Sequence, residues 1–327
     1  PIGLAVKTEN PSFLIVDKKR EFLYAVNETG EFNGEASGAI SVFSINRVSG
    51  ALVPIQQVSS LGAGPCHLSF DRTGGYLMVA NYNGGNAAVF PIGPDGKLGP
   101  NTAFIQSTGS SVHAGRQDGP HAHSIQAAPY NWCVTITDLG IDQILVYRFN
   151  VKTGTLSILD SSSVPLPPGS GPRHMTFNSS GRSAYVINEL LSTVTCFSMD
   201  SGTGQMESKQ TIPTLPKEYT GPNTAAEIIL SPSEKHLYVS NRGDDSIGLF
   251  SVDASDGRLT AIEWYPSGGK TPRHIEIDPT GKWFLAANQN SDNVSVFRIE
   301  AFNGKLRPTN QHINIANPVC VRFVAIE

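Results

Sequence analysis

The chain repeats one eight-residue motif three times, and this repeat limits its possible folds more than any other feature. The motif reads GPCHLSFD at residues 64–71, GPRHMTFN at 171–178 and TPRHIEID at 271–278. Each copy starts a longer unit with three further strand-like runs, separated by polar turns. Four short strands in about 40 to 50 residues are the signature of a β-propeller blade. None of the units has the 3.6-residue periodicity of a helical repeat, and a two-sheet sandwich would not repeat its turns so often.

The number of blades follows from the prolines that start the units. Seven of them recur at intervals of 46 to 55 residues, at Pro11, Pro65, Pro120, Pro172, Pro222, Pro272 and Pro318. The first strands that follow are led by Phe13, His67, His123, His174, Glu227, His274 and Cys320. The chain ends nine residues after Pro318, and PIGLAV at the other end resembles a fourth strand with nothing before it. A closed propeller commonly shares its last blade between the termini, which removes an open sheet edge.

We therefore predict an all-β fold, a seven-bladed β-propeller with four-stranded antiparallel blades that forms a single domain over residues 1–327. We expect its last blade to be shared between the termini and to be incomplete in this chain. The middle strands of that blade are expected in a segment ahead of Pro1.

Composition and charge narrow the classes of partner. With 39% hydrophobic and 16% charged residues, the chain can bury a large core. A net charge of −4 without a basic cluster argues against nucleic acid and an anionic membrane surface. No apolar run approaches the roughly 20 residues of a membrane helix. The four cysteines show no metal-binding spacing. We expect a monomer or weak dimer in the cytoplasm, with the periplasm or secretion left open.

Two sets of side chains are predicted to surround one opening of the propeller. Successive turns of a blade alternate between its two ends, so the residue after the proline and the residue after the second strand share an end. The first set is Cys66, His121, Arg173, Asn223 and Arg273. The second set is Glu28, Tyr82, Leu139, Glu189, Arg242 and Gln289. Ligand sites favour such places, where several loops converge on a rigid scaffold.

Residues that repeat from blade to blade are interpreted as structural. His67, His174 and His274 share one register, and each is expected to bond backbone in its own or a neighbouring blade. Asp71 and Asp278 lie in turns at the opposite end and are likewise expected to be structural. The asparagines that close the second strands are expected to form turns, because asparagine readily bonds local backbone.

Residues that do not repeat are the better candidates for chemistry. Burying Arg173, Arg242 or Arg273 is costly unless an anion of the protein or of a ligand accompanies it. The arginines either pair with a glutamate (Glu28, Glu189 or Glu227) and fasten neighbouring blades, or they bind substrate. A histidine, a glutamate and several arginines in one cavity would suit an anionic substrate that needs proton transfer.

The other motifs are weaker evidence for a functional site. His121 and His123 alternate along a strand and so would share a face, but no third metal ligand of suitable spacing accompanies them. The glycine-rich run NYNGGN at residues 81–86 lies between two strands, so it is not a dinucleotide or phosphate fingerprint. No GxSxG nucleophile elbow is present. We expect neither a metal nor another cofactor.

Four stretches are similar to a known family: GPHAHSIQ, GPRHMTF, SNRGDDSIGLF and TPRHIEIDPTGKWFLAANQNSDNVSVF. Over essentially its whole length the chain resembles the lactonase family of seven-bladed propellers. That family includes bacterial 6-phosphogluconolactonases and the fungal 3-carboxy-cis,cis-muconate lactonising enzyme. The resemblance implies catalytic roles for Arg173, Glu189, Arg242 and a histidine of GPHAHS. His123 aligns with the repeated histidines, yet the family motif retains His121 as well, so the choice between them stays open.

The resemblance implies a hydrolase of carbohydrate metabolism, in the pentose phosphate pathway. The leading hypothesis is hydrolysis of a small anionic sugar lactone, 6-phosphogluconolactone first, without a metal. Arg273, His67, Tyr82 and Gln289 are the expected substrate-binding residues. The alternatives are lactonisation of a carboxy-muconate, and a non-catalytic propeller that binds other proteins.

Overall fold

Antiparallel β-sheet and the turns that connect its strands account for nearly all of the regular structure in the described residues. The computed structural model describes residues 3–324, apart from the side chains of residues 160–162. In that part of the chain, each strand pairs with the next one along the sequence to form six four-stranded sheets. This confirms the predicted all-β class and the four-stranded antiparallel blades. The described residues divide into two compact units, residues 3–169 with residue 324, and Ser170–Phe323.

The first unit contains blades 1 to 3. Blade 1 is formed by β1 Pro11–Val16, β2 Phe22–Asn27, β3 Ala39–Ile45 and β4 Leu52–Ser59. Blade 2 is formed by β5 Pro65–Phe70, β6 Tyr76–Asn81, β7 Asn86–Pro91 and β8 Ala103–Gln106. Blade 3 is formed by β9 Ala122–Ala127, β10 Cys133–Asp138, β11 Gln143–Asn150 and β12 Thr155–Pro165. The first strands of neighbouring blades contact each other.

The second unit contains blades 4 to 6. Blade 4 is formed by β13 Pro172–Phe177, β14 Ser183–Asn188, β15 Thr193–Met199 and β16 Met206–Pro213. Blade 5 is formed by β17 Thr224–Leu230, β18 His236–Arg242, β19 Ser246–Val252 and β20 Leu259–Pro266. Blade 6 is formed by β21 Pro272–Ile277, β22 Trp283–Asn288, β23 Asn293–Ile299 and β24 Leu306–Asn314. A single 3₁₀ turn, Gln289–Ser291, follows β22.

The core lies between the faces of neighbouring blades. Second strands such as β6 and β14 read YLMVAN and SAYVIN, and nearly all of their residues are buried. Continuous runs of this kind, rich in β-branched and aromatic residues, suit strands covered on both faces. Met78 of β6 packs with Ile125 and Ile136 of blade 3. The outermost strands are exposed or half-buried at most positions, and β24 is mostly exposed.

The turn between the first two strands is held by an aspartate, as predicted. The Asp71 carboxylate accepts the backbone N–H of Tyr76 at 2.9 Å and of Thr73 at 2.9 Å. Asp278 makes the equivalent bonds to Thr280 and Trp283. Each carboxylate thereby satisfies backbone donors that the tight turn leaves without a strand partner.

The residue after the repeated proline of the motif sits in a β-bulge. Pro172 pairs with Asn188 and His174 pairs with Ile187, so Arg173 between them faces no residue of the partner strand. The same register shift occurs at Cys66 in β5 and at Arg273 in β21. A bulge re-aims one side chain without ending the strand. This geometry explains why this position varies while its neighbours repeat.

In blade 3 the strand register differs from the prediction for His123. In β9 Ala122 pairs with Asp138 and Ser124 pairs with Thr137, so His123 occupies the bulge and Ser124 takes the place of the repeated histidine. The prediction that His123 shares the register of His174 was wrong. The strand begins two residues after Pro120, so Pro120 is not equivalent to Pro172.

The two stretches predicted to contribute to a seventh blade form no strand where they are described. Residues 3–6 and residues 320–324 are irregular. A strand requires a neighbour to satisfy its backbone groups, and neither stretch pairs with another within residues 3–324. The described residues therefore show six blades, and the predicted count of seven is not confirmed by them.

Candidate functional site

Both predicted sets of side chains lie at the same end of their blades. The backbone N–H of Glu189, which follows β14, donates to the carbonyl of Gly171, which precedes β13, at 2.7 Å. The same bond joins Glu28 to Asn10, Tyr82 to Gly64, Leu139 to His121 and Gln289 to Thr271. This end of each blade is therefore where the candidate residues are found.

In the second unit, Arg173, Glu189 and Arg242 form one ion-paired group. Arg173 Nε lies 3.1 Å from Glu189 Oε2, and Arg242 Nη2 lies 2.8 Å from the same oxygen. Arg173 and Glu189 are each 3% exposed. Arg242 Nη2 also donates to the Ala225 carbonyl at 3.1 Å. The prediction that the arginines pair with a glutamate is confirmed for Glu189, which lies between two of them.

This group has more positive than negative charge. Two guanidinium groups meet one carboxylate, so the three side chains together carry one excess positive charge at neutral pH. Burial and the neighbouring Arg242 lower the pKa of Arg173 to about 10, which leaves it protonated at neutral pH. Buried charges are stable only when they are paired. Glu227 and Arg273, which have opposite charges, also act on the pKa of Arg173. With both included the excess stays positive, so the arrangement is suited to receive a further anion.

A second group adjoins Arg173. His174 Nδ1 donates to the Glu227 carboxylate at 2.9 Å, and His274 Nε2 lies 3.6 Å from Glu227 Oε2. Arg173 Nη1 donates to the Ala226 carbonyl at 2.8 Å. His174 thus bonds a neighbouring blade, as predicted, but through a carboxylate and not through backbone. The reason is that β17 has Glu227 where the other first strands of this unit have histidine.

His274 is held in its neutral form. Burial, together with the positive charge of Arg322, lowers the pKa of His274 to about 3. Arg322 contacts the Glu276 carboxylate, and burial raises the pKa of Glu276 despite that contact. Neutral His274 therefore adds no positive charge to its contact with Glu227.

In the first unit, His121 is fixed in one tautomer. Its Nδ1 lies 2.9 Å from the Tyr82 carbonyl oxygen, which can only accept, so Nδ1 carries the proton. The Tyr82 and His121 rings are stacked, with centroids 4.3 Å apart. Nε2 lies 3.8 Å from Asp118 Oδ1. In neutral His121, Nε2 therefore holds the lone pair that a general base needs.

His123 lies in a more enclosed place than His121. Its side chain is in the bulge of β9, 5% exposed, with Nδ1 3.7 Å from the Cys66 thiol. The Tyr82 ring meets it edge-on at 5.3 Å. The structure thus brings His121, His123 and Tyr82 together within the first unit. Arg173, Glu189 and Arg242 belong to the second unit.

The other predicted substrate-binding residues, His67, Arg273 and Gln289, lie in different local environments. His67 Nδ1 accepts the Ile125 N–H at 3.4 Å, which agrees with the predicted structural role in bonding a neighbouring blade. Its ring also packs on Phe13. Arg273 is partly buried in the bulge of β21, and Gln289 begins the 3₁₀ turn after β22.

Asp138 was not among the predicted site residues. This residue closes β10 and is fully buried. Its Oδ1 accepts the backbone N–H of His121 at 2.7 Å and of Gly140 at 3.1 Å. Burial raises the pKa of Asp138 despite these bonds. The equivalent residues of the other five blades are Asn27, Asn81, Asn188, Asn241 and Asn288. An ionisable residue at a position that is asparagine in the other five blades was the sequence signal that could have identified Asp138.

A model of the family described as "Lactonase, 7-bladed beta-propeller" matches residues 1–323. The chain belongs to this lactonase family. A 6-phosphogluconolactonase of Bacillus subtilis is 31% identical to it over 270 residues, which cover 83% of this chain and 74% of the relative. A 6-phosphogluconolactonase of Formosa agariphila is 33% identical over 81% of this chain and 74% of the relative. The family resemblance inferred from the four motifs is thus confirmed.

A solved structure has the same fold as this chain. The periplasmic gluconolactonase of Pseudomonas aeruginosa superimposes with a TM-score of 0.91 at 35% identity, covering 98% of this chain and 90% of that one. In this chain, no three His, Cys, Asp or Glu side chains among the described residues lie close enough together to hold a metal ion. The same part of the chain contains no helix long and apolar enough to span a membrane.

Proposed function

We propose that this protein hydrolyses a sugar lactone and that 6-phosphogluconolactone is its leading candidate substrate. Family membership and the names of two relatives support this reaction class. The seven-bladed closure predicted from the repeat, and a reaction without a metal, are parts of the same proposal.

The observation that carries the proposal is the shared carboxylate of Glu189. When water adds to a lactone carbonyl, negative charge develops on the carbonyl oxygen, and the product is a carboxylate. Arg173 and Arg242 hold one positive charge more than Glu189 balances. Guanidinium groups fixed before the reaction stabilise such charge without reorganising, and loss of one such donor typically costs on the order of a hundredfold in rate.

We propose His121 as the general base, on the expectation from the repeat that it shares one opening of the propeller with the two arginines. Nε2 takes a proton as water attacks the carbonyl carbon, and it returns that proton to the ring oxygen as the carbon–oxygen bond breaks. Glu189 is the weaker candidate, because protonating its Oε2 would break the ion pairs with both Arg173 and Arg242. Glu189 therefore positions the two arginines.

Initial rates of acid release, followed by pH-stat, test this function. The substrates are 6-phosphogluconolactone and glucono-δ-lactone, with spontaneous hydrolysis subtracted, and a carboxy-muconate followed by its ultraviolet absorbance. We expect enzymatic hydrolysis of the lactones and faster turnover of the phosphorylated one. If only the muconate is turned over, the reaction is lactonisation and the proposed hydrolysis is wrong. If none of the three substrates reacts faster than its background rate, the proposal is overturned.

A further inference from the structure

The connection between β8 and β9 is longer than the others at this end of the blades. It runs from residue 107 to residue 121, fifteen residues, whereas residues 60–64 make five between β4 and β5. Long ordered loops in compact domains usually have a function. Its sequence includes GRQDGPH, residues 115–121. Only the final histidine, His121, was among the predicted site residues.

Buried polar side chains fix this loop to blade 3. Gln117 is fully buried, and its Nε2 donates to the Leu139 carbonyl at 2.8 Å and to Asp142 Oδ1 at 2.7 Å. Asp142 also accepts the Ser111 hydroxyl at 2.5 Å. The His113 N–H donates back to the Gln117 side chain at 3.1 Å. A buried network of this kind holds the loop in one conformation.

The anchored loop places two charged residues beside the stacked rings. Arg116 and Asp118 flank Gln117 in the sequence. Arg116 Nε lies 3.3 Å from the Tyr82 hydroxyl oxygen, and Asp118 Oδ1 lies 3.8 Å from His121 Nε2. The Tyr82 ring in turn stacks on His121. The loop therefore brings a guanidinium group to the Tyr82–His121 pair.

We propose that Arg116, with the Tyr82 hydroxyl, binds the anionic group of the substrate, a phosphate or a carboxylate. A guanidinium group has five donors in a planar fork that matches both anions. Because Gln117 and Asp142 hold the loop in place, less ordering is needed when the anion binds. The identification of this anion as part of a lactone rests on the proposed function, whereas anion binding at Arg116 does not.

Calorimetric titration with two stable ligands tests the proposal. Glucose 6-phosphate offers a phosphate alone, and gluconate offers a carboxylate alone. We expect Arg116→Ala to weaken binding of one of them at least tenfold and Arg116→Lys to recover part of the loss. The ligand that is affected identifies the anion. Tyr82→Phe keeps the ring stack and should weaken the same ligand by a smaller factor.

Arg258→Ala is the matched control, because Arg258 pairs with Asp256 at an exposed position of the second unit. It should bind both ligands as the wild type does. Unchanged binding of both ligands to a folded Arg116→Ala variant would overturn the proposal, as would a wild type that binds neither at millimolar concentration.

Failure of this proposal and failure of the proposed function give different results. If the wild type hydrolyses lactones and Arg116→Ala leaves the KM of each unchanged, the function stands and the Arg116 site is wrong. If Arg116→Ala weakens anion binding and no lactone is hydrolysed, the site stands and the function is wrong.

Discussion

His121 and His123 are two residues apart in the sequence but differ in what they offer a reaction. His121 presents Nε2 in a fixed tautomer, with its side chain 16% exposed. His123 is enclosed against the Cys66 thiol. A proton acceptor must reach the water that it activates, and His121 meets this condition better.

We predict that His121→Asn lowers kcat for lactone hydrolysis by about a hundredfold or more, since general bases typically contribute that much. His123→Asn should mainly lower the melting temperature. Steady-state kinetics and thermal unfolding of both variants check this. A large loss of kcat in folded His123→Asn, together with an active His121→Asn, would reverse the assignment.

Asp138 is a second residue whose setting gives a prediction. Its pKa is raised by burial, so the folded protein binds this proton more tightly than the unfolded chain does. The stability that this group contributes is present below the unfolded pKa, near 3.8, and is lost as the pH rises through the folded value. Asparagine, as found in the other blades, avoids that loss and keeps an oxygen for the two backbone donors.

Asp138→Asn is therefore predicted to raise the melting temperature by about 2 °C or more at pH 8. The gain should shrink toward pH 4, where the wild-type carboxyl takes up its proton. Thermal unfolding of both proteins across this range is the measurement. A gain that is equal at both pH values, or absent at pH 8, would show that the buried charge is not the cause.

At the scale of the element, the aspartate turns hold the first two strands of a blade together. Burial alone would raise the pKa of Asp71, but bonds from Thr73, Asn131 and Tyr76 outweigh it and lower the pKa. Asn131 belongs to blade 3, and its Nδ2 lies 3.0 Å from Asp71 Oδ2, so this carboxylate also links two blades.

We predict that Asp71→Ala lowers the free energy of unfolding by about 2 kcal/mol or more at pH 7, because it leaves several donors without an ionised acceptor. The wild type gains this stability above the unfolded pKa and loses it as the pH falls through the lower folded value. The difference between the two proteins in urea unfolding should therefore be smaller at pH 3 than at pH 7. A pH-independent difference would contradict the explanation.

The blade is also the element that the sequence predicts best. Repeated turns and apolar runs determine the four strands of each blade, and Arg173, Glu189 and Arg242 were identifiable because they break the repeat. The bulge that contains His123 was not predictable, because an offset of one residue depends on which backbone groups pair. The alternation of apolar and polar side chains is the same whether His123 or Ser124 lies opposite Thr137. The double pairing of Glu189 is likewise a contact between residues distant in sequence.

At the scale of the whole molecule, the proposed reaction is one without a metal. The proposed reaction uses Arg173 and Arg242 for charge stabilisation and His121 for proton transfer. We predict that dialysis against EDTA leaves kcat for lactone hydrolysis and the melting temperature unchanged. A loss of activity that an added divalent cation restores would contradict this part of the account.

The central claim is that the excess positive charge at Glu189 stabilises the reaction, and kcat/KM of Arg242→Ala tests it most directly. This change leaves Arg173 and Glu189 as a neutral pair, so the buried carboxylate keeps a partner 3.1 Å away. With Arg258→Ala as the control, we predict a folded variant whose kcat/KM for the lactone falls by about a hundredfold or more. A folded Arg242→Ala variant with kcat/KM within about threefold of the wild type would contradict the claim.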